Sequence, residues 1–194
     1  MANTAAPYGF KFVRNVDQRT QNASQATRQI AYNYGTPIYF GDPVVSLNTG
    51  YIARAAAGVT QIAGIFYGCK YFNAAVNATV WSKYWPGVAI ASTLTVEAFI
   101  CNDPQAVFQV QAGGTAVTIA DIDANIQFNL GTGNATTGIS GAYVETPGAT
   151  ATLPFKVVGL VTSPPGINGT DPTTAYNDVL VSFNYQDFRS LDGI

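Results

Sequence analysis

From Pro37 onward the chain runs in short stretches of β-branched and aromatic residues, punctuated by glycine, proline, asparagine and aspartate. That texture predicts strands joined by turns. "IYFGDPVVSL" and "YIARA" read as two strands joined by Asn48-Thr49-Gly50, a turn with a residue able to take positive φ. Gly41-Asp42-Pro43 interrupts the first of them. An aspartate in such a break accepts from nearby backbone N–H groups and the proline fixes φ, so this segment is predicted to bend. Pro43 cannot donate to a ladder, which predicts an edge strand or a bulge. In "QIAGIFYGCKYF", Gly64 and Gly68 predict bulges or the close approach of another backbone.

Further along, "LTVEAFICNDPQAVFQVQAGG" alternates on both sides of Asn102-Asp103-Pro104-Gln105, the pattern of a hairpin. Thr118 with Asp121 three residues on predicts a capped short helix. "GTGNATTGISG" reads as a loop. "AYVET", "TLPFKVVGLVT" and "DVLVSFNYQDF" read as strands, with the proline-rich "SPPGINGTDPTT" as a surface loop between the last two. About eight or nine short strands with one short helix predict an all-β fold, a compact barrel or a sandwich, with a jelly roll as the alternative.

Residues 1–33 have a different pattern. "NVDQRTQNASQATRQIAYN" is polar, lacks a sustained amphipathic period, and predicts an extended N-terminal arm that orders against a partner. Before it, Phe10, Phe12 and Arg14 form an alternating patch suited to a neighbour's sheet edge. Residues 34–194 then form one β domain. Residues 73–92 are its irregular, aromatic-rich insertion, carrying Trp81, Tyr84 and Trp85.

Composition sharpens this picture. Hydrophobic residues make up 47% of the 194 residues and charged residues only 10%, well below the roughly 25% of an ordinary globular domain. The surface is therefore polar through amides and hydroxyls, or is covered by a partner. A net charge of −2 gives no basic footprint for nucleic acid. Lys11, Arg14, Arg19 and Arg28 concentrate near the start, in the expected arm. No run of about 20 apolar residues predicts a membrane span, and residues 1–10 lack the basic-then-apolar order of a secretion signal. Without secretion, the triplets at Asn22, Asn77, Asn134 and Asn168 are not glycosylation sites. Cys69 and Cys101 sit in apolar, strand-like surroundings and are expected as buried free thiols.

Chemistry is sparse. The chain has no histidine, which removes Ser-His-Asp and Cys-His catalysis and histidine metal sites. Carboxylates remain: Asp121 with Asp123, or Asp42, Asp103 and Glu97 converging in space. Asp42 and Asp103 each precede a proline, however, and Asp121 caps a helix, so structural roles account for them. "DIDANIQ" starts like a calcium loop but lacks the following glycine and the acid at the twelfth position. "GTGNATTG" lacks the lysine of a phosphate loop. No catalytic residue, metal or cofactor is assigned. Trp81, Tyr84 and Trp85 fit a core, a protein interface or a sugar platform.

"APYGFKFVR", "YFGDPVVSLNTGYIARAAAGVTQIAGIFYGCKY", "YWPG" and "DPQAVFQVQAGG", in that order, resemble small virion proteins of tailed bacteriophages encoded near the major capsid protein. Gly-Asp-Pro-Val followed by Ile-x-Gly-Ile-Phe-x-Gly is similar to the β-tulip cores of head decoration, or cement, proteins. The resemblance spans Ala6 to about Gln111 and, more loosely, the final strand. It implies a non-enzymatic structural protein, made in the host cytoplasm and carried on the outer surface of the virion capsid. Its implied partners are the major capsid protein and itself, as a homotrimer. The interface candidates are Phe10, Phe12, Arg14, Arg19, Arg28, Trp81, Tyr84 and Trp85. The alternative is a receptor- or carbohydrate-binding β module of a phage fibre.

Overall fold

The computed structural model describes residues 3–17, 25–162 and 171–190. Arg19, the Asn22 and Asn168 triplets and most of the proline-rich loop lie outside them. The described chain is all-β, as expected, but with twelve strands. These are β1 (Lys11–Asn15), β2 (Gln25–Ile30), β3 (Pro43–Ser46), β4 (Ile52–Arg54), β5 (Gly64–Asn73) and β6 (Ala78–Ser82), followed by β7 (Val96–Cys101), β8 (Ala106–Gln111), β9 (Asn125–Asn134), β10 (Ile139–Gly148), β11 (Phe155–Leu160) and β12 (Asp178–Phe183).

Two six-stranded sheets result. The first has the order β1-β8-β12-β11-β9-β10. The second has the order β3-β4-β2-β7-β5-β6, and β3 also pairs with β5, so five of its strands close into a barrel with β6 outside the ring. Ile30, Val44, Phe66, Ala98, Ile100 and Trp85 belong to the barrel's core. A second core, built on Phe10, Phe108, Phe128, Phe155 and Phe183, takes Ile65 and Cys101 from the barrel strands and so binds the two sheets together.

One bulge makes this double duty work. In β5, Phe66 faces the barrel core while Ile65 joins the inter-sheet core. The register against β7 shifts between Phe66 and Gly68, and Gly68 sits at φ 143°. Beyond the shift the odd-numbered Cys69 and Tyr71 face the barrel core. An extra residue reverses a strand's parity, so the bulge predicted at Gly68 turns Lys70 and Phe72 outward. At Gly64 a Cβ would stand 2.5 Å from the Cys101 carbonyl oxygen, the close backbone approach expected there.

Several expectations are corrected. The described part of residues 1–33, residues 3–17 and 25–33, is not an arm outside the fold. β1 pairs antiparallel with β8 and β2 with β7, and Phe10 is fully buried, stacked on Phe155 at 4.4 Å. Their outward positions are polar because they face solvent. The Asn102–Gln105 turn forms, with the Gln105 N–H donating to Asp103 at 2.9 Å, yet β7 and β8 are not a hairpin. They belong to different sheets, and the turn carries the chain round a corner. Pro43 is not on an edge: β3 pairs on both sides, and proline is tolerated at its first position. "GTGNATTGISG" is not a loop but the β9–β10 hairpin, and the irregular 73–92 stretch contains β6. The expected helix is a single 3-10 turn, Ile119–Asp121, with the Thr118 N–H and hydroxyl both donating to the Asp121 carboxylate.

Candidate interaction surface

The predicted site residues do not converge. Phe10 is core. Phe12 is half-buried against the inter-sheet core, and its N–H donates to the Tyr67 hydroxyl at 2.9 Å. Arg14 lies in β1 opposite Val107. Arg28 of β2 donates to Ser46 Oγ at 2.8 Å, and Ser46 donates in turn to Asp187 at 2.7 Å, which ties the C-terminal segment to the barrel.

The aromatic cluster splits. Trp85 is fully buried; its indole N–H donates to the Tyr34 carbonyl at 2.9 Å and its ring meets Tyr71 edge-on. It is therefore core, not interface. Tyr84 is half-buried and stacks on Tyr39 with centroids 5.6 Å apart. Trp81, in contrast, is 72% exposed. It sits on β6 at an outward position, with Val80 beside it packing inward on the barrel core.

β6 is itself unusual. It pairs with β5 through five successive residues, Ala78 to Ser82, without a register break. Among the described residues no other strand and no further backbone hydrogen bond reaches it. The outer strands of the first sheet are protected differently. β1 carries Lys11, Arg14 and a bulge, and Tyr67 caps its Phe12 N–H. β10 carries Glu145, Pro147 and two register breaks, and is bonded by the Gly113 and Gly9 N–H groups at 2.8 and 3.1 Å. Charges, prolines and bulges are how exposed edges avoid unwanted pairing. "ATVWS" has none of them. Exposed Val76 lies just before it and exposed Val88 shortly after. A hollow of about 300 Å³ between Phe72, Val88, Ile90 and Leu94 adjoins the hairpin.

Of the carboxylates raised as candidate acids, Asp42, Glu97, Asp103 and Asp121 have structural partners, as does Glu145. Asp42 is fully buried against Arg54. Glu97 pairs with Lys70, Glu145 accepts from Asn129, and Asp103 and Asp121 hold turns. Sequence reasoning missed the buried Asp178, whose carboxylate accepts from the Tyr8 hydroxyl at 2.9 Å and from Gln109 Nε2 at 3.1 Å. Only the fold brings those three positions together. Burial raises the pKa of Asp178, against the lowering by these two hydrogen bonds. Among the described residues no cluster of three metal-ligating side chains occurs. Cys69 and Cys101 are free and buried, and burial pushes their thiols up to about 12 and about 11, so neither is a thiolate at neutral pH.

Comparison with known proteins finds no matching family model, no similar curated protein and no similar solved structure. The function therefore rests on the chain's own features.

Proposed function

We propose that the chain is a capsid cement protein of a tailed bacteriophage, which binds the outer surface of the head and clamps neighbouring major capsid subunits. The observation that carries this reading is the unguarded β6 edge. An uncharged, unbroken strand with free backbone groups is a template for strand addition. A protein that keeps such an edge needs it covered, and a densely packed shell supplies the cover. The low charge content and the sequence resemblance to head decoration proteins support the same role. The resemblance further implies association as a homotrimer. Apolar contact contributes about 25 cal/mol per Å² before the costs of association, and a closed shell repeats each modest contact many times.

Co-sedimentation with expanded, undecorated capsids of its own phage tests the proposal. The full chain is expected to pellet with mature capsids and to resist removal by washing. Thr79→Lys, an exposed change that places a charge on the edge strand, is expected to reduce decoration about tenfold or more. Failure of the unaltered chain to bind capsids overturns the cement role. Full binding by the Thr79→Lys variant overturns the part assigned to β6.

A further inference from the structure

The outward face of the β2, β7, β5 and β6 strands is distinct from the β6 edge and carries its own chemistry. Cross-strand register places Gln29, Glu97, Lys70 and Trp81 in one row. The next row holds Thr27, Phe99 and Gly68. Gly68 carries no side chain in that row, and Trp81 reaches diagonally across β5 to Phe99. The two rings stack with centroids 5.3 Å apart and planes 7° from parallel. Phe99 thus backs one face of the indole while most of the side chain stays open to solvent. Lys70 Nζ lies 5.5 Å from the Trp81 ring centroid and 3.0 Å from Glu97 Oε2.

An exposed tryptophan suits a protein hot spot or a sugar, and its neighbours decide between them. Hot spots sit in water-excluding surroundings at the centre of a well-packed patch. On this face Trp81 instead has Thr79, Lys70 and Glu97 nearby, with Gln29 and Thr27 farther across on β2, all hydrogen-bonding and all exposed or half-exposed. A hollow of about 220 Å³ lined by Lys70, Phe72, Thr79, Leu94, Thr95 and Glu97 continues the face. We infer that this face binds a neutral pyranose oligosaccharide. One sugar ring lays its C–H face on the solvent-exposed part of the indole. Its hydroxyls donate to Glu97 and accept from Lys70, while one neighbouring unit accepts from Gln29 beyond Glu97 and another enters the hollow. The Lys70–Glu97 pair sums to zero charge, which leaves no field to select an acidic sugar. The aromatic stack and the ion pair exist before the ligand arrives, so little ordering cost falls on binding. A sugar-binding face of this kind gives the protein a second activity, adhesion to a glycan-bearing surface, and it does not depend on the cement role.

Saturation-transfer NMR on the full chain, with cellohexaose, maltohexaose and mannohexaose as probes and hexagalacturonate as the charged comparison, tests the inference. At least one neutral hexaose is expected to bind saturably and to change tryptophan emission. Trp81→Ala is expected to weaken that binding about tenfold or more, and Trp81→Phe by less than about threefold. Gln29→Ala, an exposed change remote from the stack, is expected to cost about threefold. Circular dichroism confirms that each variant is folded. The inference is overturned if no neutral hexaose binds, if Trp81→Ala binds as well as the unaltered chain, or if hexagalacturonate binds more tightly than every neutral probe. Capsid co-sedimentation is scored separately, so failure here leaves the cement proposal standing and the reverse also holds.

Discussion

The Ser140 hydroxyl donates to Oδ1 of Asp42 at 2.5 Å, joining β10 of the first sheet to the residue just before β3 of the barrel. Asp42 is fully buried. Its Oδ2 accepts the Tyr39 N–H at 2.8 Å and lies 2.8 Å from Arg54 Nε, while Arg54 Nη2 reaches Oδ1 at 3.2 Å. A buried carboxylate persists only when paired and hydrogen-bonded, and every one of these partners depends on the Gly41-Asp42-Pro43 bend. Asp42→Ala is expected to cost about 3 kcal/mol, because Arg54 loses its counter-ion inside the fold. Ser140→Ala removes the hydroxyl's bond to Asp42 and the one it accepts from the Ala142 N–H at 2.8 Å, leaves the Asp42–Arg54 pair in place, and is expected to cost about 1.5 kcal/mol. Urea denaturation of both variants measures the difference; equal costs would contradict the assignment of Asp42 as the centre of the network.

Gly68 is the second structural hinge of the design. Its φ of 143° is a conformation that L side chains rarely adopt, and a Cβ there would lie 2.9 Å from the Ser82 carbonyl oxygen. Gly68→Ala is expected to destabilise the fold by about 2 kcal/mol. It is also expected to shift Trp81 against Phe99, since the new methyl pushes on the carbonyl of Ser82, the residue after Trp81 in β6. Chemical denaturation reads the first effect and the indole N–H shift in a proton–nitrogen NMR spectrum reads the second. An unchanged Trp81 resonance would show that the Ser82 carbonyl gives way without moving the rest of β6.

These two positions also show what the sequence could reveal. The Gly-Asp-Pro bend, the Gly68 bulge and the Thr118–Asp121 cap are local: the residues that cause each feature are neighbours in the chain, so their chemistry is legible without the fold. Pairing is not local. The Asn102–Gln105 turn is compatible with a hairpin and with a corner between sheets, and only the packing of Cys101 and Phe108 into one core decides for the corner. β1 and β2 read as an arm because they are short and present polar residues outward. Their burial rests on few residues, Ile30 in β2 and Phe10 just before β1 above all. Trp81 and Trp85 lie four residues apart with similar neighbours. The Ser82–Tyr84 turn, in which Ser82 Oγ donates to the Tyr84 carbonyl at 2.6 Å, sends one outward and the other into the core.

That separation is directly measurable, because the chain has only two tryptophans. Trp85 is fully buried and Trp81 is 72% exposed. Emission from the native protein is expected to be a sum of a blue-shifted, quencher-resistant component and a red-shifted, quenchable one. Trp81→Phe is expected to leave the blue-shifted component alone and to abolish most acrylamide quenching. Stability is expected to change by less than about 0.5 kcal/mol, as at other exposed sites. A residual red-shifted, quenchable signal in that variant would place Trp85 at the surface.

Asp178 gives the fold a pH dependence of predictable sign. It is buried between Tyr8 and Gln109, and desolvation raises its pKa above 3.8 despite two donated hydrogen bonds. A carboxyl whose folded pKa exceeds its unfolded value binds its proton more tightly in the native state. Ionising it therefore disfavours folding, and its contribution to stability falls as pH rises through the window just above 3.8. Asp178→Asn retains an oxygen that accepts from Tyr8 but cannot ionise. The stability of the unaltered chain minus that of Asp178→Asn is expected to decrease as pH rises through this window and to level off above it. Urea midpoints at closely spaced pH values test this. A difference that grows with pH there would mean that the Tyr8 and Gln109 hydrogen bonds outweigh desolvation and hold the carboxylate ionised in the core.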